Sequence, residues 1–221
     1  MAQTSTFGNT RFYDQLLDIV VRPDRAFRRV AERPRILPPL LFVLVTTVIV
    51  YIVLSGAFSQ RIEKVVEEAA IVSTSRLIGL ILWLGGIFGM LQAMLALLVG
   101  GLILHAIARF LGSEASLQQT MACYLTASIP SGVRALLIAN VALVLGPENT
   151  PFITMPLVES DVAPFEVMLA ALDPFVLWGT ILLGVGIKQV HQLAVAHAFG
   201  VSLGFLTISI CVSIIPAVLN L

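Results

Sequence analysis

The chain has 221 residues, equal numbers of acidic and basic side chains, and a composition that is 58% hydrophobic and only 12% charged. Its mean hydropathy is +0.98, whereas water-soluble domains contain about 25% charged residues. The composition therefore excludes an ordinary soluble domain, and the balanced net charge gives no indication of nucleic-acid binding.

The N-terminal segment, residues 1–35, is polar and basic and predicts two short amphipathic helices. Apolar residues recur at helical spacing in Arg11–Val21, and after Pro23 the segment Asp24–Glu32 places Phe27 among arginines. Pro followed by Asp favours a helix start, because proline lacks only an N–H that has no partner there and Asp complements the helix dipole. We expect both helices to lie on the cytoplasmic membrane surface with their apolar sides toward lipid. A basic flank that only sets orientation is the alternative.

Long apolar stretches follow, each with few or no charged residues. About 20 apolar helical residues cross the roughly 30 Å hydrocarbon core of a bilayer. We therefore predict one membrane domain over residues 36–221 with five spans, at residues 36–58, 79–108, 121–145, 173–195 and 200–219. The predicted fold class is all-α: an integral membrane bundle of five transmembrane helices preceded by the short N-terminal helices.

The predicted connections differ in chemistry. An amphipathic segment at Ser59–Ser75 follows the first span, and a short turn at Phe110–Ser116 follows the second. In that turn Ser116 and Gln119 have the spacing of a capping box. Gly146–Leu172 contains prolines and acids but no Lys or Arg, which favours an outside loop, and Val190–Ala198 is predicted to be an inner elbow.

The third span contains a break at Pro130 that allows two interpretations. Either one kinked span covers Met121–Leu145, or Leu117–Ile129 lies at the inner interface and Ser131–Gly146 crosses the membrane. We favour the kinked span, because a transmembrane helix tolerates a proline where neighbouring groups satisfy the freed backbone.

Lys and Arg counts near the span ends set the predicted orientation. With the N-terminus inside, the inner segments hold Arg11, Arg22, Arg25, Arg28, Arg29, Arg33, Arg35, Arg109 and Lys188, and the outer ones hold only Arg61, Lys64 and Arg76. This bias predicts a multi-pass inner-membrane protein with a cytoplasmic N-terminus and an outside C-terminus.

Two motifs for enzyme chemistry are missing from the sequence. It has no H-E-x-x-H and no P-loop pattern, and the spacing of its cysteines fits no metal site. We therefore predict no catalytic residue, no metal site, no cofactor and no enzymatic activity. An intramembrane enzyme would require at least two of His105, Arg134 and Asp173 in contact.

Arg134 is the one ionised side chain inside a predicted span. Such a group is costly in a membrane and usually marks a function or a partner, so it is a candidate contact for a lipid phosphate or a carboxylate. The alternative is that it reaches the interface by snorkelling. Asn140 is expected to donate an interhelical hydrogen bond, and Asp173 is expected to complement the dipole of the fourth span.

Small residues four positions apart let membrane helices approach closely. Gly85 with Gly89, and Gly200 with Gly204, have this spacing. Packing within the bundle is the favoured interpretation, and contact in a homo-oligomer is the alternative.

Three sequence features together resemble the Yip family, the Yip-domain (Ypt/Rab-interacting-protein-like) multispanning membrane proteins. The segment before the first span has a proline, a phenylalanine four residues later and a second proline, and the fourth span has an Asp-x-Phe-x-x-Trp start with a glycine-rich end. The third feature is the break in the third span. The matching residues are Pro23, Phe27, Pro34, Pro130, Asp173, Phe175, Trp178, Gly184 and Gly186, and the resemblance extends from Phe12 to Ile215.

The resemblance implies a membrane protein without catalysis. Eukaryotic relatives bind Rab/Ypt GTPases through the cytosolic N-terminal region, but the excess of Arg over Lys favours the bacterial branch. We predict a scaffold or partner-binding protein in membrane organisation or trafficking, whose partners are membrane lipids and a membrane protein. Arg25, Arg28, Arg29 and Arg134 are the candidate lipid- or partner-binding residues. A small transporter or channel is the alternative, with a pathway built from Gln92, His105, Arg134 and Asn140.

Overall fold

A computed structural model describes residues 12–68, 75–146 and 173–219, and every regular element in these ranges is an α-helix. The predicted all-α class is therefore confirmed. In chain order the helices are α1 (Phe12–Val21), α2 (Pro23–Glu32), α3 (Leu37–Glu68), α4 (Ser75–Phe110), α5 (Leu117–Ala127), α6 (Ile129–Leu145), α7 (Pro174–His191) and α8 (Val195–Leu219).

Four segments within the described ranges are long and apolar enough to cross a membrane: Leu37–Gly56, Arg76–Phe110, Leu117–Leu145 and Val195–Val212. They confirm a membrane-spanning helical bundle. Helix α7 is not among them, because Lys188, Gln189 and His191 lower the hydropathy of its last turn. The fourth predicted span, residues 173–195, therefore stays a prediction, and so does the count of five spans.

The first predicted connection, the amphipathic segment Ser59–Ser75, is largely part of a helix. Helix α3 continues through its first ten residues without a break and ends at Glu68. Its glutamates and lysine are good helix formers, and neither glycine nor proline interrupts them. The start of the chain, Met1–Thr10, and the predicted loop Gly146–Leu172 beyond Gly146 lie outside the described residues.

The predicted break in the third span is present. Helices α5 and α6 meet at Ser128, whose hydroxyl donates to the Tyr124 carbonyl at 2.9 Å, and Pro130 lies in the first turn of α6. A proline is tolerated there because first-turn N–H groups have no helical partner. The two helices form one apolar segment of 29 residues, which favours a kinked span.

The predicted capping box at the start of α5 is confirmed. The backbone N–H of Gln119 donates to the Ser116 hydroxyl at 3.3 Å, and the Ser116 N–H donates to the Gln119 side-chain carbonyl at 2.8 Å. Two otherwise unpaired donors at this helix start are thus satisfied.

Helix α7 lies at the centre of the fold, where it packs against α2, α5, α6 and α8. The contact with α2 depends on small side chains. A Cβ atom at Gly186 would lie 2.6 Å from the Cys123 sulfur and 2.8 Å from the Phe27 ring. Glycine at this position therefore leaves the space that the phenyl ring occupies, and Phe27 is completely buried.

The predicted placement of α2 on lipid requires correction. Its apolar residues Ala26, Phe27 and Val30 are buried against protein, so they are not available to enter the bilayer. Amphipathic periodicity shows that a helix has one apolar face but does not show whether lipid or protein covers it. In α1, by contrast, Leu17, Val20 and Val21 are exposed.

We predict that Phe27→Ala lowers the free energy of unfolding by about 3 kcal/mol, the usual cost of removing a buried phenyl ring. Thermal unfolding in a mild detergent measures this change. Phe110→Ala is the matched control, because the Phe110 side chain is 91% exposed. Equal effects of the two substitutions would contradict the packing of α2 on α7.

Candidate functional site

Two groups of interacting polar side chains lie at the two ends of α7. At its start, Asp173 is the N-cap: one carboxylate oxygen accepts hydrogen bonds from the N–H groups of Phe175 at 2.8 Å and Val176 at 2.9 Å. A carboxylate here also complements the positive end of the helix dipole. Asp173 therefore lies where the sequence predicts that it complements the dipole of this helix.

The second carboxylate oxygen of Asp173 contacts the guanidinium of Arg134 on α6. The Asp173 side chain is 6% exposed and the Arg134 side chain 31%. The sequence predicts that Arg134 either contacts a lipid phosphate or a carboxylate, or reaches the interface by snorkelling. In the structure it contacts a carboxylate, and that carboxylate belongs to the same chain. The pair also meets the condition set for an intramembrane enzyme, but both oxygens of Asp173 are engaged in capping and pairing.

At the other end of α7, two histidines are hydrogen-bonded to hydroxyl groups. The His191 Nδ1 and the Ser113 hydroxyl are 2.8 Å apart, and both side chains are buried. One helix away, the His105 Nδ1 and the Thr120 hydroxyl are 3.0 Å apart. The first bond joins α7 to the α4–α5 turn, and the second joins α4 to α5.

The N-terminal helices attach to the same end. The Gln189 amide donates to the Asp24 carboxylate at 2.7 Å, and the Gln119 amide donates to the Ala31 carbonyl at 2.7 Å. The Gln118 amide lies 3.4 Å from the Pro34 carbonyl. Helix α2, the α4–α5 turn and the α7–α8 linker therefore lie at one end of the bundle. The sequence predicts that all three share one side of the membrane.

The three candidate arginines of α2 have different surroundings. Arg29 forms an ion pair with Asp18, which braces α2 against α1. Arg25 and Arg28 are exposed, and the Arg28 Nε lies 3.4 Å from the Asp24 carbonyl. The outer face of α2 is thus formed by Arg25 and Arg28, while Arg29 belongs to the α1–α2 contact.

The residues of the alternative transport pathway are not joined in the described structure. Asn140 donates to the Leu136 carbonyl of its own helix at 2.7 Å, so the predicted interhelical bond is wrong. An exposed amide on a helix satisfies itself most easily with the carbonyl one turn back. Gln92 is exposed on α4, and His105 bonds to Thr120. In the ranges searched, no three His, Cys, Asp or Glu side chains are grouped to hold a metal ion.

Comparison with known families shows which family the chain belongs to. The family model for the Yip1 domain matches residues 17–215, which covers α1 to α8. The chain belongs to the Yip1 family. It is accordingly a multi-pass membrane protein of the Yip-domain class. Neither the curated proteins nor the solved structures include a match to this chain.

The motif residues that carry the family resemblance lie mainly in contacts of α7 and α2. Asp173 caps α7, and the rings of Phe175 and Trp178 are 6.4 Å apart in its first turn. A Cβ atom at Gly184 would lie 2.8 Å from the Phe199 ring of α8. Pro23 is the first residue of α2, Phe27 fills the space beside Gly186, and Pro34 accepts from Gln118.

We predict that Arg134 and Asp173 are energetically coupled by about 1–2 kcal/mol, within the range for directly contacting charged groups. A double-mutant cycle with Arg134→Gln and Asp173→Asn measures this coupling through unfolding in mixed micelles. Asparagine keeps the helix cap, so the cycle isolates the charge pair. Strictly additive effects would show that the two side chains act independently.

Proposed function

We propose that this Yip1-family protein is a non-enzymatic scaffold of the inner membrane, which binds a partner through the basic outer face of α2 on the cytoplasmic side. The observation that carries the proposal is the fixed orientation of α2. Its apolar face is buried in the membrane domain, so its opposite face must point away from the bundle.

Helical geometry groups the exposed arginines. Arg25 and Arg28 are three residues apart and therefore neighbours on one side of α2. Ala26, Phe27 and Val30 lie on the other side and are buried. Because α2 is held by contacts to α7 and α5, the backbone positions of the two arginines are fixed relative to the membrane domain.

Charge indicates the chemistry of the partner. Further exposed arginines flank the pair, and the exposed acids nearby are Asp24, whose carboxylate accepts from Gln189, and Glu32. The exposed basic residues in this region are Arg22, Arg25, Arg28, Arg33 and Arg35. Guanidinium groups favour phosphate and carboxylate partners, which suits anionic lipid and an acidic segment of a partner protein.

The interior supports a structural role. In the described ranges, the charged pair of Arg134 and Asp173 connects α6 to α7, and the bond between Ser113 and His191 connects the α4–α5 turn to α7. Because these groups stabilise the bundle, we assign recognition to the basic face of α2.

We predict that Arg25→Glu with Arg28→Glu weakens binding to anionic lipid by about 2 kcal/mol, roughly a 30-fold rise in Kd, at about 1 kcal/mol per basic residue. The full chain in detergent is titrated with phosphatidylglycerol and, separately, with phosphatidylcholine, and bound lipid is counted by native mass spectrometry. The same variant is compared with wild type by cross-linking and co-purification from native membranes.

Arg76→Glu is the control, because Arg76 is exposed but lies at the start of α4, at the far end from α2. The proposal expects a partner in stoichiometric amount with wild type and with the control, and its loss with the α2 variant. Unchanged anionic-lipid binding and an unchanged set of partners would contradict it. So would substrate flux in proteoliposomes that Arg134→Ala abolishes.

A further inference from the structure

A buried histidine joins α7 to the α4–α5 turn through only one of its two ring nitrogens. His191 is the last residue of α7, and its Nδ1 lies 2.8 Å from the Ser113 hydroxyl. Both residues are only 4% exposed. The other ring nitrogen of His191, Nε2, is buried and has no hydrogen-bond partner among the described residues. The charge state of this imidazole therefore decides how well it fits its site.

The site suits the neutral imidazole and not the imidazolium. A neutral ring carries a proton on one nitrogen only, whereas the imidazolium has an N–H at both. Protonation of His191 therefore adds a charge and a buried donor that has no described acceptor. His191 lies in the predicted inner elbow and outside the four candidate spans. Burial lowers the pKa of His191 from its ordinary value of 6.5 to about 4, and the neighbouring His105 adds to this effect.

Cations surround His191 on two elements. Lys188 precedes it by one turn on α7. Arg109 of α4 donates to the Ser113 carbonyl at 3.2 Å, so a guanidinium lies beside the residue that bonds to the imidazole. Like charges disfavour a further positive charge nearby. The electrostatic surroundings therefore oppose protonation in the same direction as burial does.

The remaining titratable groups of the adjoining elements supply no counter-charge. Glu114 in the α4–α5 turn and His197 in the first turn of α8 are exposed. Asp24 of α2 accepts a hydrogen bond from Gln189. Helix α5 contributes Cys123 and Tyr124, which are uncharged at neutral pH. Within the described ranges, no carboxylate forms an ion pair with His191.

The bond between Ser113 and His191 connects the two elements on which α2 is docked. Gln189 of α7 and Gln119 of α5 each donate a hydrogen bond to α2 at 2.7 Å. Gln189 lies two residues before His191, and Gln119 lies six residues after Ser113. If the α4–α5 turn moves away from α7, the separation of these two amides changes. Helix α2 then loses at least one of its two bonds.

We propose that the contact between Ser113 and His191 is pH-sensitive: protonation of His191 opens it and releases α2 from the membrane domain. Release would move the basic face of α2, so the contact would regulate the recognition surface. That regulatory meaning rests on the proposed function, whereas the release of α2 does not and is tested without lipid or partner binding.

The direction of the effect follows from proton binding. In the released state the imidazole is solvated and has its ordinary pKa near 6.5, and in the docked state the pKa is lower. The released state therefore binds more protons below about pH 6.5. Docking is strongest above that pH and weakens by up to about tenfold per pH unit as the pH falls, because release takes up one proton. At pH 5 the expected weakening is about 30-fold.

The test measures the distance between spin labels on α2 and α7 by double electron–electron resonance, with the full chain in lipid nanodiscs. The labels are attached to Arg28→Cys and Leu177→Cys, both at exposed positions, in a background with Cys123→Ala and Cys211→Ala. We expect one narrow distance distribution at pH 7.5 and a second, longer population at pH 5. With His191→Asn, the distribution should stay narrow at both pH values, because asparagine keeps a hydrogen-bonding group near the Nδ1 position but does not titrate.

His197→Asn is the matched control, because water solvates the charged form of this exposed histidine. It should respond to pH as the wild type does. Ser113→Ala removes the contact without changing His191, and the second population should then be present already at pH 7.5.

A narrow distribution of the wild type at pH 5 would overturn the proposal. So would the same pH response in His191→Asn as in the wild type. A response that is lost in His105→Asn but kept in His191→Asn would also overturn it, since His105 would then be the group that titrates.

Discussion

The burial of α7 among four other helices is the constraint on which the rest of this structure depends. Its contact with α2 requires glycine at position 186, because any larger side chain would meet Phe27 and Cys123. Phe27 in turn holds the N-terminal helices against the membrane domain. Helix α2 is therefore part of the bundle, and the direction of its basic face follows from the packing of one aromatic ring.

Polar groups inside a membrane are costly unless they are paired, and two such pairs lie at the ends of α7. Asp173 and Arg134 connect α7 to α6, and Ser113 with His191 connects it to the α4–α5 turn. These contacts hold α7 to its neighbours, whereas the exposed arginines of α2 lie at the periphery of the same end of the bundle.

Local sequence signals predict the local structure well. The capping box at Ser116, the break at Pro130 and the capping role of Asp173 each depend on residues within a single turn. The long apolar runs likewise predict the membrane class. Contacts between distant residues cannot be predicted in this way: Asp24 and Gln189 are 165 positions apart, and no periodicity specifies such a pair. For the same reason the sequence alone assigns the apolar side of α2 to lipid, whereas in the structure that side is packed against protein.

The most direct test of the docking of α2 on α7 is cross-linking between cysteines placed at positions 24 and 189, because the ends of the native side chains are 2.7 Å apart. The variant carries Asp24→Cys and Gln189→Cys in a background with Cys123→Ala and Cys211→Ala. It is treated in native membranes with a short bifunctional thiol reagent, which replaces the length lost when glutamine and aspartate are shortened to cysteine. Rapid, nearly complete intramolecular cross-linking is predicted, whereas the pair Arg25→Cys and Gln189→Cys should react poorly, because Arg25 lies about 100° around α2 from Asp24. Equal and slow reaction of both pairs would contradict the account, since α2 would then lie apart from the membrane domain.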